Sequence, residues 1–190
     1  MERRLFIQLP LVASVLLTEA LKNPDDKPKP GGRPEKGFKV EARKDRYQEE
    51  LHIMGGQFDC IVSAQDTDGD LCIYDTIRQE KGGPVLHLHH EQDEWFYIIK
   101  GEFIVKVGED TFNLKAGDSA FAPRKIPHAF AKINDDEGQM LVLFQPAGTM
   151  EDFFKQMSKL GSSIPDNQGK LLQELWESHG MEVVGPPLTF

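Results

Sequence analysis

Cysteine is scarce in this chain, with only Cys60 and Cys72 among 190 residues. Neither belongs to a Cys-x-x-Cys pair, which excludes a zinc ribbon. If Asp66-Thr67-Asp68-Gly69-Asp70 forms a hairpin turn, Cys72 falls opposite about Gln65 and Cys60 lies several residues farther along. A disulfide is then not expected, and both cysteines read as strand residues. The acidic turn is not a calcium loop of the EF-hand order, because its glycine comes too early and no helices flank it. Positive charge is also deficient: the net charge is −9 and no basic stripe occurs. A phosphate backbone would be repelled, so nucleic acid is not an expected partner. No helix-turn-helix region is evident. The one apolar run, near the N-terminus, is too short for a stable membrane span. Hydrophobic residues at 39% and charged residues at 28% are the balance of a folded globular chain with room for one barrel-sized domain and appendages.

The richest stretch runs from Pro84 to Gly101, where Val85-Leu86-His87-Leu88-His89-His90 leads through Glu91-Gln92-Asp93 into Glu94-Trp95-Phe96-Tyr97-Ile98-Ile99-Lys100. Successive side chains of an extended chain point to opposite faces. His87 and His89 therefore share one face, and His90 turns away to the surface. Glu94 is an odd number of residues after His89, so it reaches the same face only through a turn or bulge, which His90 to Asp93 can supply. Downstream, Gly117 to Pro127 leads to His128, the first residue of another strand-like run. Three imidazoles and one carboxylate suit one divalent transition ion (iron, manganese, nickel, copper or zinc) over calcium or magnesium, which prefer all-oxygen shells. A lone strand histidine is more often a hydrogen-bonded core residue, but four such groups at matching spacing favour a metal site.

These two blocks resemble the motifs of the cupin family. The first motif is met by the Gly82-Gly83 pair, His87, His89, Glu94 and Gly101, with the glycine-to-histidine spacing two residues short. The second is met by Gly117, Pro123 and His128, with Lys132 where asparagine is usual. The resemblance runs from about Gly56 to Pro146. It implies a mainly β fold, a double-stranded β-helix or jelly-roll barrel, with His87, His89, Glu94 and His128 as metal ligands. It also implies a homodimer.

The order of segments supports that architecture. Residues 1–21 hold a charged start, Arg3-Arg4-Leu5-Phe6, and a short apolar segment, resembling a twin-arginine export signal and hence a periplasmic location. An amphipathic helix on a cytoplasmic protein is the competing reading. Residues 22–50 form a proline- and glycine-rich linker and arm. Within 51–148, strands are expected at Phe58–Gln65, Leu71–Arg78, Val85–His90, Trp95–Lys100, Phe103–Val107, Thr111–Leu114, Ser119–Ala122, His128–Ile133 and Met140–Gln145, as a meander-like run. In 149–190, Thr149 is expected to cap a helix carrying Phe153, Phe154, Met157 and Leu160. A second helix opens at Asp166 and carries Leu171, Leu172, Leu175 and Trp176, with His179 as a capping charge and a tail beyond it.

The site so assembled opens into the barrel, where strand parity places Phe96 and Phe130 as candidate substrate-contacting residues. The ending from Gly180 to Leu188 is similar to the tails of small cupins related to the quercetin dioxygenases. That resemblance implies an oxidoreductase that cleaves a flavonol or related phenolic or enediol substrate with O2, Glu94 acting as the catalytic base. A metal-containing binding or sensory protein is the alternative, and a sugar isomerase or epimerase a third.

Overall fold

A computed structural model describes residues 33–161 and 169–190. The expected export signal, the linker up to residue 32 and the Asp166 start of the second helix lie outside the described residues. Eleven strands and two helices occur among the described residues: β1 (Leu51–Ile53), β2 (Gly56–Val62), β3 (Cys72–Arg78), β4 (Val85–His89), β5 (Asp93–Lys100), β6 (Glu102–Val107), β7 (Asp110–Lys115), β8 (Ser119–Ala122), β9 (His128–Lys132), β10 (Gly138–Gln145), α1 (Met150–Leu160), α2 (Gly169–Ser178) and β11 (Met181–Pro187). They form a six-stranded sheet in the order β1-β2-β3-β10-β5-β8 and a five-stranded sheet in the order β11-β4-β9-β6-β7. The protein is therefore mainly β, with the jelly-roll arrangement expected. The meander does not hold: β10 inserts between β3 and β5, and β9 between β4 and β6. Such crossovers leave no trace in local alternation, because a strand's period is blind to its neighbour.

Alternation sets the interior. Glu94, Phe96 and Ile98 of β5 and Met140, Val142 and Phe144 of β10 are buried, while the residues between them are more exposed. The two strands pair in register, Val142 opposite Phe96 and Phe144 opposite Glu94. From the facing sheet come Phe103 and Val105 of β6 and the wholly buried β9. Each of the buried phenylalanine, isoleucine, methionine and valine side chains contributes about 1.5–3 kcal/mol by leaving water.

The hairpin between β2 and β3 is longer than expected. β2 stops at Val62 because Ser63 turns the chain into a 3-10 turn, Ala64–Thr67. The Ser63 hydroxyl accepts from the Gln65 amide at 3.1 Å, and the Asp66 carboxylate accepts from the Ser63 amide at 3.0 Å. This reciprocal cap offers the backbone better partners than the ladder would. Cys60 consequently pairs with Tyr74, and both cysteines are free and buried.

The C-terminal segment belongs to the barrel more intimately than a tail would. α1 buries Met150, Phe153, Phe154 and Met157, and the Phe154 ring lies 5.0 Å from Phe58 and 4.8 Å from Tyr74. Thr149 precedes α1 but makes no side-chain cap; its hydroxyl instead meets His179 Nδ1 at 2.8 Å. His179 is thus a buried linchpin rather than a capping charge, with Nε2 3.0 Å from the Gln156 amide nitrogen. β11 was not expected, because Gly185, Pro186 and Pro187 argue against a ladder. It is an edge strand with two register shifts, where prolines are tolerated.

Candidate metal centre

β4 supplies His87 and His89 from one sheet, β9 supplies His128 beside them, and β5 supplies Glu94 from the other. His87 stands directly opposite His128 in the β4–β9 pairing, and Glu94 opposite Phe144 and Ala122. The turn through His90, Glu91 and Gln92 carries the chain between sheets, so Glu94 regains the interior face despite its odd spacing. The ligand atoms available from the four side chains all lie within 4.8 Å of one another, and all four residues are buried.

Glycine at position 83 is required by this packing. A Cβ there would stand 1.8 Å from the Phe130 carbonyl oxygen, so only a residue without a side chain lets the chain entering β4 lie against β9. Lys132, which stands at the asparagine position of the second motif, is fully buried. Its ammonium donates to the carbonyls of Gln79 and Asn134 at 2.9 and 2.7 Å, tying the loop before β4 to the end of β9.

Hydrogen bonds aim the rings. His87 Nδ1 lies 2.8 Å from the Val85 carbonyl, and His128 Nδ1 lies 2.8 Å from the Ile126 carbonyl. Each bond requires Nδ1–H, which leaves Nε2 turned to the cluster, as in imidazoles that hold a metal. All three Nε2 atoms converge on one oxygen: Glu94 Oε2 is 2.8 Å from His128, 3.2 Å from His89 and 3.9 Å from His87. His89 is 1% exposed, yet neither of its ring nitrogens makes a hydrogen bond. Such orphaned buried atoms are costly, and a cation among the four residues would satisfy Nε2. The donor set therefore fits one divalent transition ion.

The electrostatics agree. Burial pushes the His87 imidazole down to about 3, reinforced by the neighbouring His128, so it offers a lone pair at neutral pH. Burial alone would raise the Glu94 carboxyl, but the His128 hydrogen bond and the adjacent His89 outweigh it and hold the group well below the usual carboxylate range. His128 is desolvated too, yet its bond to Glu94 raises it above the ordinary imidazole value. A proton between His128 and Glu94 thus marks where positive charge is wanted.

His87, His89 and Glu94 of the cluster line a cavity of about 50 Å³. Its walls are otherwise apolar, from Phe130, Val142, Phe144, Phe153 and Trp176 among others, with Arg78 as a charged exception. Phe130 thus lies where strand parity puts it. Phe96 is fully buried but stands behind, 5.8 Å from the Phe130 ring and 6.4 Å from the His128 ring, as a support rather than a lining residue. The Trp176 indole meets the His87 imidazole edge-on at 4.8 Å and Phe153 at 5.1 Å, so the C-terminal helices close one side of the cavity. Sequence reading passes over Arg78, although the inward phase of Cys72, Tyr74 and Thr76 on β3 leads to it. His90 is exposed, as expected, with Glu182 3.9 Å away.

Comparison with known proteins agrees with this arrangement. Residues 76–144 match the family described as "Cupin domain". An uncharacterized protein of Methanocaldococcus jannaschii is 29% identical over 68 residues, 36% of this chain and 54% of that protein. An uncharacterized protein of Streptomyces coelicolor is 32% identical over 57 residues, 30% of this chain and 53% of that protein. The chain thus spans about half the length of the curated relatives it matches. Among solved structures, an RmlC-like cupin from Shewanella frigidimarina is 26% identical, over 60% of this chain and 96% of that one, with a TM-score of 0.46. The matched segment runs from within β3 into β10, the strands that bring the three histidines and Glu94 together, and over these residues the protein carries a cupin domain.

Proposed function

We propose that the protein is a metal-dependent dioxygenase of the quercetinase-like kind, with His87, His89, Glu94 and His128 as ligands, acting on a phenolic or enediol substrate. The observation that carries this is the convergence of three Nε2 atoms on Glu94 Oε2 at the wall of a cavity whose other lining is mainly apolar. When bound there, a transition ion supplies Lewis acidity toward an enediol or phenol oxygen and electron exchange with O2. The chain does the rest. His87 and His128 keep the proton on Nδ1 through the carbonyls of Val85 and Ile126. All three imidazole contacts fall on Glu94 Oε2, so Oε1 is the oxygen left to accept the substrate hydroxyl proton. Trp176, Phe153 and Phe130 exclude water from the reacting atoms. The cavity volume of about 50 Å³ favours a compact substrate; a flavonol enters only if Trp176 and Phe153 move.

The same enclosure would serve a protein that captures a small molecule without turnover. Oxygen uptake separates the two. Metal-loaded protein should consume O2 with a compact enediol or catechol and stop when chelated. Glu94→Gln should keep a large share of the metal and lose turnover at least 100-fold, the scale of general-base contributions. Metal-loaded protein that binds these compounds without consuming O2 would leave the capture reading in place.

A further inference from the structure

Arg78 ends β3 on its inward face, in phase with Tyr74 and Thr76, and is only 6% exposed. Both terminal nitrogens donate to a single acceptor, the Met54 carbonyl, at 2.6 Å. Nε is buried with no hydrogen-bond partner. No carboxylate among the described residues forms an ion pair with the guanidinium, and the exposed Glu80 acts on it only at longer range. Its carbon lies 5.8 Å from the Phe130 ring centroid, and the side chain lines the cavity together with His87, His89 and Glu94.

A purely structural role accounts for only part of this. Holding the Met54–Gly55 turn, where both residues have positive φ, takes one or two donors, whereas a guanidinium has five. A buried cation whose only counter-charge is an exposed carboxylate beyond ion-pair distance is among the costlier arrangements a core can contain. It becomes favourable when an anion completes it, and arginine's planar fork matches a carboxylate.

We propose that Arg78 is the anion-recognising residue of the cavity, and that the molecule taken up carries a carboxylate besides the oxygen that faces the three histidines and Glu94. The substrate class rests on the dioxygenase reading, but the anion site does not. The apolar walls and small volume restrict the acid to a compact one with a short hydrophobic body.

The test uses the full chain with propionate, its neutral isostere propionamide, and inorganic phosphate, followed through the 15N–H resonance of Arg78 Nε, with metal content measured on the same samples. Propionate should shift that resonance saturably and bind at least about 10-fold more tightly than propionamide, the difference a charge-assisted bond to arginine makes. Arg78→Met should abolish the discrimination while binding metal like the wild type, and Arg78→Lys should keep part of it. Equal binding of propionate and propionamide, or no shift of Nε, would overturn the proposal on wild-type protein alone, even if Arg78→Met failed to fold through loss of the Met54 bond. Phosphate binding more tightly than propionate would overturn the carboxylate assignment. Propionate recognition in a protein that takes up no metal would instead sink the metal-dependent reading and leave Arg78 in place.

Discussion

Replacing His128 by alanine tests whether the four converging side chains act as one metal site. His128 is fully buried, and its Nε2 makes the shortest of the three contacts to Glu94 Oε2, 2.8 Å. Loss of supporting groups around metal ligands already costs about 10–100-fold in affinity, so removal of a ligand should cost at least about 100-fold. Linkage converts this into stability. Metal at 100 times its dissociation constant stabilises a folded protein by about 2.7 kcal/mol; weakened 100-fold at the same concentration, it contributes roughly 0.4 kcal/mol. For a chain of this size about 1 kcal/mol moves Tm by roughly 2–4 °C. Added zinc or manganese should therefore raise the wild-type Tm by about 5–11 °C and that of His128→Ala by no more than about 2 °C. Elemental analysis at that metal concentration should show near-stoichiometric metal in the wild type and no more than about half of that in the variant, with the β signature of the circular dichroism spectrum kept. His90→Ala, outside the cavity, is the control and should behave as wild type. A His128→Ala protein whose Tm still climbs with metal would remove His128 from the site and refute the reasoning.

Three further expectations concern other parts of the molecule. Glu137 accepts from Arg43, Gln79 and Lys100, bonds that hold its carboxyl down to about 2 from an ordinary 4.5. Its contribution is therefore fully present above pH 4.5 and lost as pH falls toward 2. Glu137→Gln should flatten the acid limb of the stability profile in that window by at most about 1 kcal/mol, since the partners are largely exposed; an unchanged limb in urea titrations at stepped pH would contradict it. β11 places Val183 opposite His87 and Met181 opposite His89. Deleting residues 181–190 should thus weaken metal binding although no ligand is removed, and full metal content in the truncated chain would show that β9 alone aligns β4. Trp176→Ala should cost about 3–5 kcal/mol of stability and admit larger ligands to the cavity. Calorimetric affinities for bulky phenols that are identical in wild type and variant would show that Trp176 is not what limits entry.

How far the site was legible in the sequence depends on how far apart its parts lie along the chain. Residues on one strand announce themselves, so the shared face of His87 and His89 follows from period two. Residues on paired strands do so less, and His128 follows from motif spacing rather than geometry. Phe96 illustrates the limit: parity puts it inside the barrel correctly but cannot tell a first layer from a second, which depends on the reach of Phe130 from β9. Arg78 was legible in principle, because a charge in phase with Cys72, Tyr74 and Thr76 must enter the interior. Its type points the other way, because arginine at a strand end is ordinarily a surface residue. β11 was illegible for a physical reason, since a strand with prolines forms only where its unpaired side faces solvent, and edge position is a property of the assembled sheet.

The division of labour within the fold has a consequence for specificity. The segment matching the cupin family covers residues 76–144 and contains every member of the His–Glu cluster. Trp176 and Phe153, which close one side of the cavity, lie outside it on α1 and α2, and so does Met181, which pairs with His89. The helices are held to the barrel by Phe154 against Phe58 and Tyr74, and to each other by His179 between Thr149 and Gln156. The strands that would hold the ion thus do not alone decide what fits beside it, because Trp176 and Phe153 share the cavity wall with Arg78, Phe130, Val142 and Phe144. Two chains with the same His87–His89–Glu94–His128 arrangement but different C-terminal helices would share reactivity and differ in substrate, because the chemistry is set by one layer of the molecule and the size limit by another.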